Sequence, residues 1–397
     1  MATLPIGLVS PGGLWMINGG VPVAFDVSVL HQIQAELLEE YIAPHSYPWI
    51  IGYSGGKDST LLAQLVFELL MALAPGDRKR PVHILCNDTL VESPILIAYI
   101  DRQLSRLSDA AENLHLPITV VKTSPAPDQT FWVNLIGRGY PAPTRSFRWC
   151  TDRMKIQPTS EYILSQVASN GEVILLLGVR RAESAARAVT ANRHTNAPGS
   201  RLNSHDDLKG CKVFRPLLEL SNEGVWQLLL QRRPPWGGTH RELVTLYRNA
   251  QGGECPMVID KSQAPSCGTS SSRFGCWTCT VVEKDRSMEG FIDAGFEHLE
   301  PLLEFRDWLA VIRNDRSKRM LERRDGRIAI MGDGETTVAG PFTLETRQEI
   351  LNRLLDTQRQ VEVPLIDERE IAIIKTIWAE DAVTEARRLL KQSKVKT

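Results

Sequence analysis

The chain has 397 residues, 46 Lys and Arg against 47 Asp and Glu, and a formal net charge of −1. That balance excludes a globally basic nucleic-acid coat and an acidic tail, and leaves room only for local basic patches. A hydrophobic fraction of 43% is ordinary for a protein with a real core, and the length allows two or three domains. The opening stretch MATLPIGLVSPGGLWM lacks a basic n-region, and the longest apolar run, LLAQLVFELLMALA, contains Gln64 and Glu68 and is too short to span a bilayer. The expected setting is cytoplasmic, with no membrane partner. In a reducing cytosol, seven cysteines, four of them between Cys255 and Cys279, point to a metal or to redox chemistry rather than to disulfides.

Residues 1–25 read as a loose N-terminal arm. Over 26–235 strands alternate with helices. A helical period starts in FDVSVLHQIQAELLEEYI, PWIIGY is a short buried strand, and TLLAQLVFELLMALA is a helix opening from the loop between them. PVHILCN is a second strand. SPILIAYIDRQLSRLSDAAENLH is a long helix with Ser93 as its cap and Pro94 at its first position. PITVVK is a third strand, a helix is expected near 157–169, EVILLL is a fourth strand, and CKVFRPLLEL holds a fifth. This pattern predicts an α/β fold with a doubly wound parallel sheet covered on both faces. Residues 236–290 are rich in Gly, Ser, Cys and Pro and need something other than a core to order them. Residues 291–397 return to helical patterns, and the basic run from Arg313 to Arg327 reads as a helix surface.

The stretch YSGGKDST, from Tyr53 to Thr60, lies between a strand and a helix, the geometry that binds anions through backbone N–H groups and the helix dipole. Gly55 and Gly56 allow close approach of the backbone, and Ser54, Ser59 and Thr60 add hydroxyls. The Walker pattern G-x-x-x-x-G-K-[ST] is not met, because Gly52 to Gly56 is one residue short and Asp58 follows Lys57. The loop matches S-G-G-x-D-S and so resembles the PP-loop ATP pyrophosphatase superfamily, whose members split ATP between its α- and β-phosphates or bind a related sulfonucleotide. The implied fold is the adenine nucleotide alpha hydrolase-like PP-loop fold, and the implied nucleotide-binding set is Ser54, Gly55, Gly56, Lys57, Asp58, Ser59, Thr60, Asp88 and Arg180. Two further stretches resemble sulfonucleotide (APS/PAPS) reductases. NDTLVESP keeps Asp88 and Thr89 of a D-T-G-x-x-x-P-E-T segment, with Leu90 in place of Gly. LLGVRRAESAAR supplies Arg180, Ser184 and Arg187 at a strand end. Arginine suits a two-point grip on phosphate.

RSFRWCTDRMKIQP resembles the R-x-C-C-x-x-x-K-x-x-P stretch of the iron–sulfur adenylylsulfate reductases, with Cys150 at the second cysteine and Trp149 in place of the first. CWTC, holding Cys276 and Cys279, can present two thiolates to one metal, and four-cysteine sites suit a [4Fe–4S] cluster or zinc. The chain has one close pair plus dispersed partners, which favours the cluster. The expected ligands are Cys150, Cys267, Cys276 and Cys279, with Cys255 as a replacement ligand or a sulfur-relay thiol. Cys86 and Cys211 read as small buried hydrophobes.

The E-C-G-L-H segment of thiol-dependent reductases is absent, since no cysteine follows Cys279. TFWVNLIGRGYPAPTRSFRWCTDRMKIQPT, LLLGVRRAESAARA and the run from GECP to SRFGCWTCTVVEKDRSMEGF resemble the DndC family, the iron–sulfur proteins of bacterial DNA phosphorothioation. That resemblance covers about residues 45–300. It implies a DNA sulfurtransferase that uses ATP and Mg²⁺ to activate a backbone phosphate, with Lys57, Asp58, Asp88, Arg180 and Arg187 in catalysis. It also implies a cysteine desulfurase as sulfur donor, an ATPase-like protein and a small accessory protein as partners. Arg138, Arg145, Arg148, Arg153 and Lys155 alternate with Trp132, Tyr140, Phe147 and Trp149, a mixture suited to DNA phosphates and an extruded base. The same stretch also reads as a solvated loop that closes over ATP. The rival readings are a sulfonucleotide reductase, a PP-loop tRNA thiolase, and a scaffold that retains a nucleotide pocket.

Overall fold

The computed structural model describes residues 27–181, 201–250, 275–330, 335 and 337–395. It divides into two compact units. One takes in the chain up to Leu85, Gln103–Val121 and Ile163–Arg241; the other takes in Cys86–Arg102, Lys122–Tyr162 and the chain from Glu242 onward. No described helix is long and apolar enough to cross a membrane.

The α/β part begins with α1 (Val27–Tyr41), β1 (Trp49–Gly52) and α2 (Lys57–Ala72). It continues through β2 (Val82–Asn87), α3 (Pro94–Asn113), β3 (Ile118–Thr123), α4 (Gln157–Asn170) and β4 (Val173–Leu176) to β5 (Leu202–Ser204), β6 (Cys211–Phe214) and α5 (Asn222–Gln231). Six strands form one sheet in the order β3-β2-β1-β4-β6-β5. β1 runs parallel to β2 and β4, and β4 runs parallel to β6. The five strands expected from the sequence are all present, and the sheet is the mostly parallel one that the alternation predicts. The addition is β5, antiparallel to β6 at the edge. Its three residues are too few to carry a period.

Every residue of β1 and β4 is buried, as befits central parallel strands covered on both faces. α2 is buried on all sides from Lys57 to Leu70, apart from Glu68. That is why its sequence is apolar all round rather than striped. The strand order reverses direction at β1 and β4, and this is the point at which open α/β sheets bind ligands. The loop from β1 to α2 lies there.

The second unit is helical. It contains α6 (Arg241–Asn249), α7 (Arg286–Asp293), α8 (Glu300–Ile312), α9 (Leu344–Val361) and α10 (Glu368–Val395), with a two-stranded ribbon of β7 (Ala329–Ile330) and β8 (Thr337–Val338). Two π-helical turns, Val133–Gly137 and Thr151–Ile156, belong to the same unit. Its core is aromatic. Trp132 lies 5.8 Å from Trp277 and 5.9 Å from Phe305, and its indole donates to the Leu365 carbonyl at 2.6 Å. Trp149 stacks on Phe131 at 5.3 Å and donates to the Pro141 carbonyl at 2.9 Å. The helical C-terminal region therefore packs against the 131–156 segment.

The run Arg313–Arg327 differs from its expected form. α8 ends at Ile312, and the run makes turns with one 3₁₀ turn at Arg316–Lys318. Its arginines tie down backbone and acids rather than lining a helix surface. Arg319 donates to the carbonyls of Gly340 at 2.6 Å and Ala339 at 3.0 Å, and Arg324 grips Asp381 with two nitrogens at 2.8 and 3.1 Å.

Behind α2, His240 is buried and its Nε2 lies 2.7 Å from the Gln64 side-chain oxygen. The Gln64 amide nitrogen donates to Glu68 at 2.9 Å, so Gln64 accepts and the His240 Nε2 carries the proton. Burial pushes His240 down to about 4. An unfolded histidine takes up a proton near pH 6.5, while the folded one resists until about pH 4, so the unfolded chain binds the extra proton between those values. The stabilisation is present above pH 6.5 and lost as the pH falls toward 4, by on the order of 2–3 kcal/mol. In urea unfolding between about pH 7 and pH 4.5, His240→Gln should therefore lose less stability than the wild type.

Candidate phosphate-binding loop and cysteine pair

The loop geometry follows from its small residues. Gly55 has φ 74°, a left-handed conformation that a side chain would resist. Gly56 caps α2 with φ −80° and ψ 170°, and no side chain caps that helix. Its N-terminal dipole therefore faces the loop unneutralised by a cap. The Ser59 hydroxyl donates to the Gly56 carbonyl at 3.0 Å and lies 3.2 Å from the Ser54 hydroxyl, while the Ser54 hydroxyl accepts from the Gly56 N–H at 3.4 Å. The serines thus hold the shape of the loop. The Thr60 hydroxyl is buried with no hydrogen-bond partner among the described residues.

Lys57, Asp58 and Arg180 are brought together as the sequence led one to expect. Asp58 Oδ2 takes the Lys57 ammonium at 3.0 Å, and Asp58 Oδ1 takes the Arg180 Nε–H. All three are buried, at 7%, 4% and 3% exposure. One carboxylate between two cations leaves a net charge of +1 at the end of a helix dipole, an arrangement suited to a polyphosphate. Both Asp58 oxygens are engaged, so Asp58 positions the cations. Arg180 also reaches the Asn222 side-chain oxygen at 3.5 Å, at the start of α5. Arg187 and Ser184 lie outside the described residues.

Gly178 closes this site, a role that its place in LLLGVRR does not announce. A β-carbon there would sit 2.9 Å from the Asp58 carbonyl carbon and oxygen and 3.1 Å from the Ser59 nitrogen. Backbone cannot yield as a flexible side chain would.

In the other unit, Asp88 heads a tight turn. Its Oδ1 accepts from the Leu90 N–H at 2.8 Å and its Oδ2 pairs with Lys122 at 2.8 Å, while Lys122 also meets Asp101 at 2.9 Å. Burial works against the Lys122 charge, but hydrogen bonds to the two carboxylates outweigh it and hold the ammonium above its ordinary range. Lys122, at the end of PITVVK, carried no motif, so only the fold reveals its role. Leu90 has φ 64°, which explains why related sequences place glycine there. In this chain a leucine accepts strain of about 1–2 kcal/mol.

Cys276 pairs with this turn. Its backbone bridges Glu92, its sulfur lies 3.3 Å from the Thr89 hydroxyl, and the Trp277 N–H donates to the Val91 carbonyl at 3.0 Å. The Cys279 N–H donates to the Cys276 carbonyl at 3.0 Å, closing C-x-x-C into a turn. Burial pushes the Cys276 thiol well up, with Lys155 opposing. Burial also raises Glu92. Cys276, Cys279 and the half-buried Cys150 form no disulfide among the described residues. Among the described residues no three His, Cys, Asp or Glu are grouped closely enough to hold a metal ion. Cys255 and Cys267 lie outside the described residues. The C-x-x-C pair, with the buried Thr278 hydroxyl between its members lacking a hydrogen-bond partner among the described residues, fits the chemistry of a thiolate-ligated metal.

The basic and aromatic stretch sorts itself. Trp132 and Trp149 are 1% and 5% exposed, so neither offers a face to a base. Arg138 binds Asp128 and the Asn134 side chain, and Arg153 binds Gln129 and lies over the Tyr140 ring. Arg145 and Phe147 are exposed, and Arg148 and Lys155 are half-buried. Arg153 and Lys155 ride on the π-helical turn that precedes α4, a local underwinding that no residue pattern signals.

Replacing Gly178 with Ala should displace the start of α2 and weaken ATP binding about tenfold or more, read by isothermal titration calorimetry, while circular dichroism stays that of the wild type.

A family model described as the phosphoadenosine phosphosulfate reductase domain matches residues 48–282. An uncharacterized protein of Methanocaldococcus jannaschii is 25% identical over 189 residues, 48% of this chain and 32% of that protein, so the chain spans about a third of the length of this curated relative. The phosphoadenylyl-sulfate reductase of Candida auris in its phosphate complex is 14% identical over 54% of this chain and 89% of its own, with a TM-score of 0.31. The FMN adenylyltransferase of Candida glabrata with FAD and pyrophosphate is 15% identical over 51% and 56%, with a TM-score of 0.32. The U34-tRNA thiolase NcsA of Methanococcus maripaludis with its [4Fe-4S] cluster is 15% identical over 79% and 86%, with a TM-score of 0.33. Likenesses this slight carry no argument about activity. The family model, by contrast, covers more than half of the chain and takes in both the phosphate loop and the cysteine pair, and the chain belongs to the phosphoadenosine phosphosulfate reductase domain family.

Proposed function

We propose that this chain is a DNA phosphorothioation sulfurtransferase of the DndC type. The observation that carries the reading is a buried phosphate-binding loop in a chain whose family cysteine pair is broken by Trp149, a residue committed to the core. Residues 280–397 hold no cysteine. What remains is an ATP-using loop and one C-x-x-C pair. That combination suits activation of an oxygen by ATP followed by its replacement with sulfur.

The chemistry balances. A non-bridging oxygen of a DNA phosphate attacks the α-phosphorus of ATP, and pyrophosphate leaves. Cysteine sulfur, delivered by a desulfurase as a persulfide and released as hydrosulfide by two electrons from a dithiol reductant that becomes a disulfide, then displaces AMP at the DNA phosphorus, and one proton is released. Lys57 and Arg180 stabilise the charge on the departing pyrophosphate, and Asp58 holds both in place. Asp58 or Asp88 would hold Mg²⁺, which would neutralise charge on the pyrophosphate. Cys276 and Cys279, with Cys150 and Cys267 or with Cys255 in place of one of these, would hold a [4Fe–4S] cluster, which would supply thiolate-ligated iron as a sulfur-binding or structural centre. Arg145 and Arg148, beside the exposed Phe147, are the proposed DNA contacts, with Lys155 next to them. An ATPase-like protein and a small accessory protein complete the proposed assembly.

The test is mass spectrometry of nuclease-digested genomic DNA from wild-type, Lys57→Ala and Cys276→Ser strains of the native host. Phosphorothioate-linked dinucleotides should be present in the wild type and fall below about 1% of that level in both variants. Wild-type DNA without them, with the protein expressed, would overturn the reading. Assays of adenylylsulfate reduction and tRNA thiolation would then decide between its rivals.

A further inference from the structure

The loop after the cysteine pair is held by two arginines of the helical region, outside the residues that the family model covers. Arg306, 1% exposed on α8, donates to the carbonyls of Cys279 at 2.9 Å, Glu283 at 2.9 Å and Val282. Asp307, on the surface, and Asp285, buried at the cap of α7, balance its charge.

Arg313, at the end of the same helix, is different. One of its terminal nitrogens donates to the carbonyls of Thr280 at 2.8 Å and Pro143 at 2.7 Å. No carboxylate pairs with it among the described residues. Its Nε–H is buried and has no acceptor there either. A charged guanidinium with an orphaned donor is costly unless something negative completes it. The Thr280 carbonyl that Arg313 grips is one residue past Cys279, so the guanidinium stands beside the cysteine pair.

We propose that Arg313 is a positioning residue for the metal centre of the cysteine pair. It fixes the loop through Thr280 and Pro143, and it offers its charge and its free Nε–H to the sulfur of the thiolate-bound centre. Hydrogen bonds and positive charge near cluster sulfurs raise the reduction potential and slow loss of iron. The inference rests on the cluster in the proposed function, not on the DNA substrate.

The experiment uses full-length protein purified anaerobically as wild type, Arg313→Lys and Arg313→Gln. Iron and sulfide content, iron release to a chelator and the midpoint potential are measured together. Arg313→Gln should release iron about tenfold faster and show a more negative potential, while Arg313→Lys, which keeps the charge, should retain the iron content of the wild type and recover most of its potential. A wild-type potential in Arg313→Gln at full iron content overturns the proposal. Equal loss of iron in the Lys and Gln variants overturns it too, because shape rather than charge would then be at work. Wild-type protein without iron overturns it as well. Genomic DNA without phosphorothioate would sink the DNA reading and leave this inference standing.

Discussion

Asp58 is the pivot of the loop between β1 and α2. Its two oxygens are divided between the Lys57 ammonium and the Arg180 guanidinium, in a place where neither cation sees much water. A lone buried carboxylate would be costly, and so would two unpaired buried cations. Together they form a preorganised group with an excess of one positive charge, set against the uncapped start of α2. Much else follows from keeping that group in position. α2 is buried all round, β1 and β4 are central strands, and Gly178 has no side chain because the Asp58 backbone occupies that space.

The second unit meets a different constraint. It has to present a cysteine pair from a segment poor in apolar residues. It does so by borrowing order from elsewhere. The Cys276 backbone bridges Glu92, the Trp277 ring enters an aromatic core with Trp132 and Phe305, and the carbonyls that follow are gripped by Arg306 and Arg313. Backbone carbonyls are obligatory acceptors, and buried arginines meet several of them at once. Trp149 stands where related reductases have a cysteine, and its indole is spent on packing and one hydrogen bond. Trp149 is thereby a core residue.

Several parts of this protein were legible from its residues alone. The glycines and hydroxyls from Ser54 to Thr60 announced an anion loop, because strand, small residues and helix permit little else. The helix–strand alternation announced a mostly parallel sheet. Arg180, singled out by its motif, pairs with Asp58 of that loop in the structure. Other expectations were too simple. Trp132 and Trp149 looked like partners for bases because they alternate with arginines, but alternation in sequence does not say which side chains face water. The run from Arg313 to Arg327 looked like a helix surface because its charges are dense. Its arginines instead satisfy carbonyls and acids that lie far from it in the chain.

By itself, the sequence determined the fold class and the family, since loop residues, a cysteine pair and strand–helix order are local properties that neighbours along the chain specify. Only the tertiary structure decided which charges meet. That Asp58 serves Arg180, 122 residues away, that Lys122 joins Asp88 to Asp101, and that Arg313 faces the cysteine loop are consequences of packing. Coulomb and hydrogen-bond energies depend on distances of a few ångströms, and no one-dimensional pattern records them.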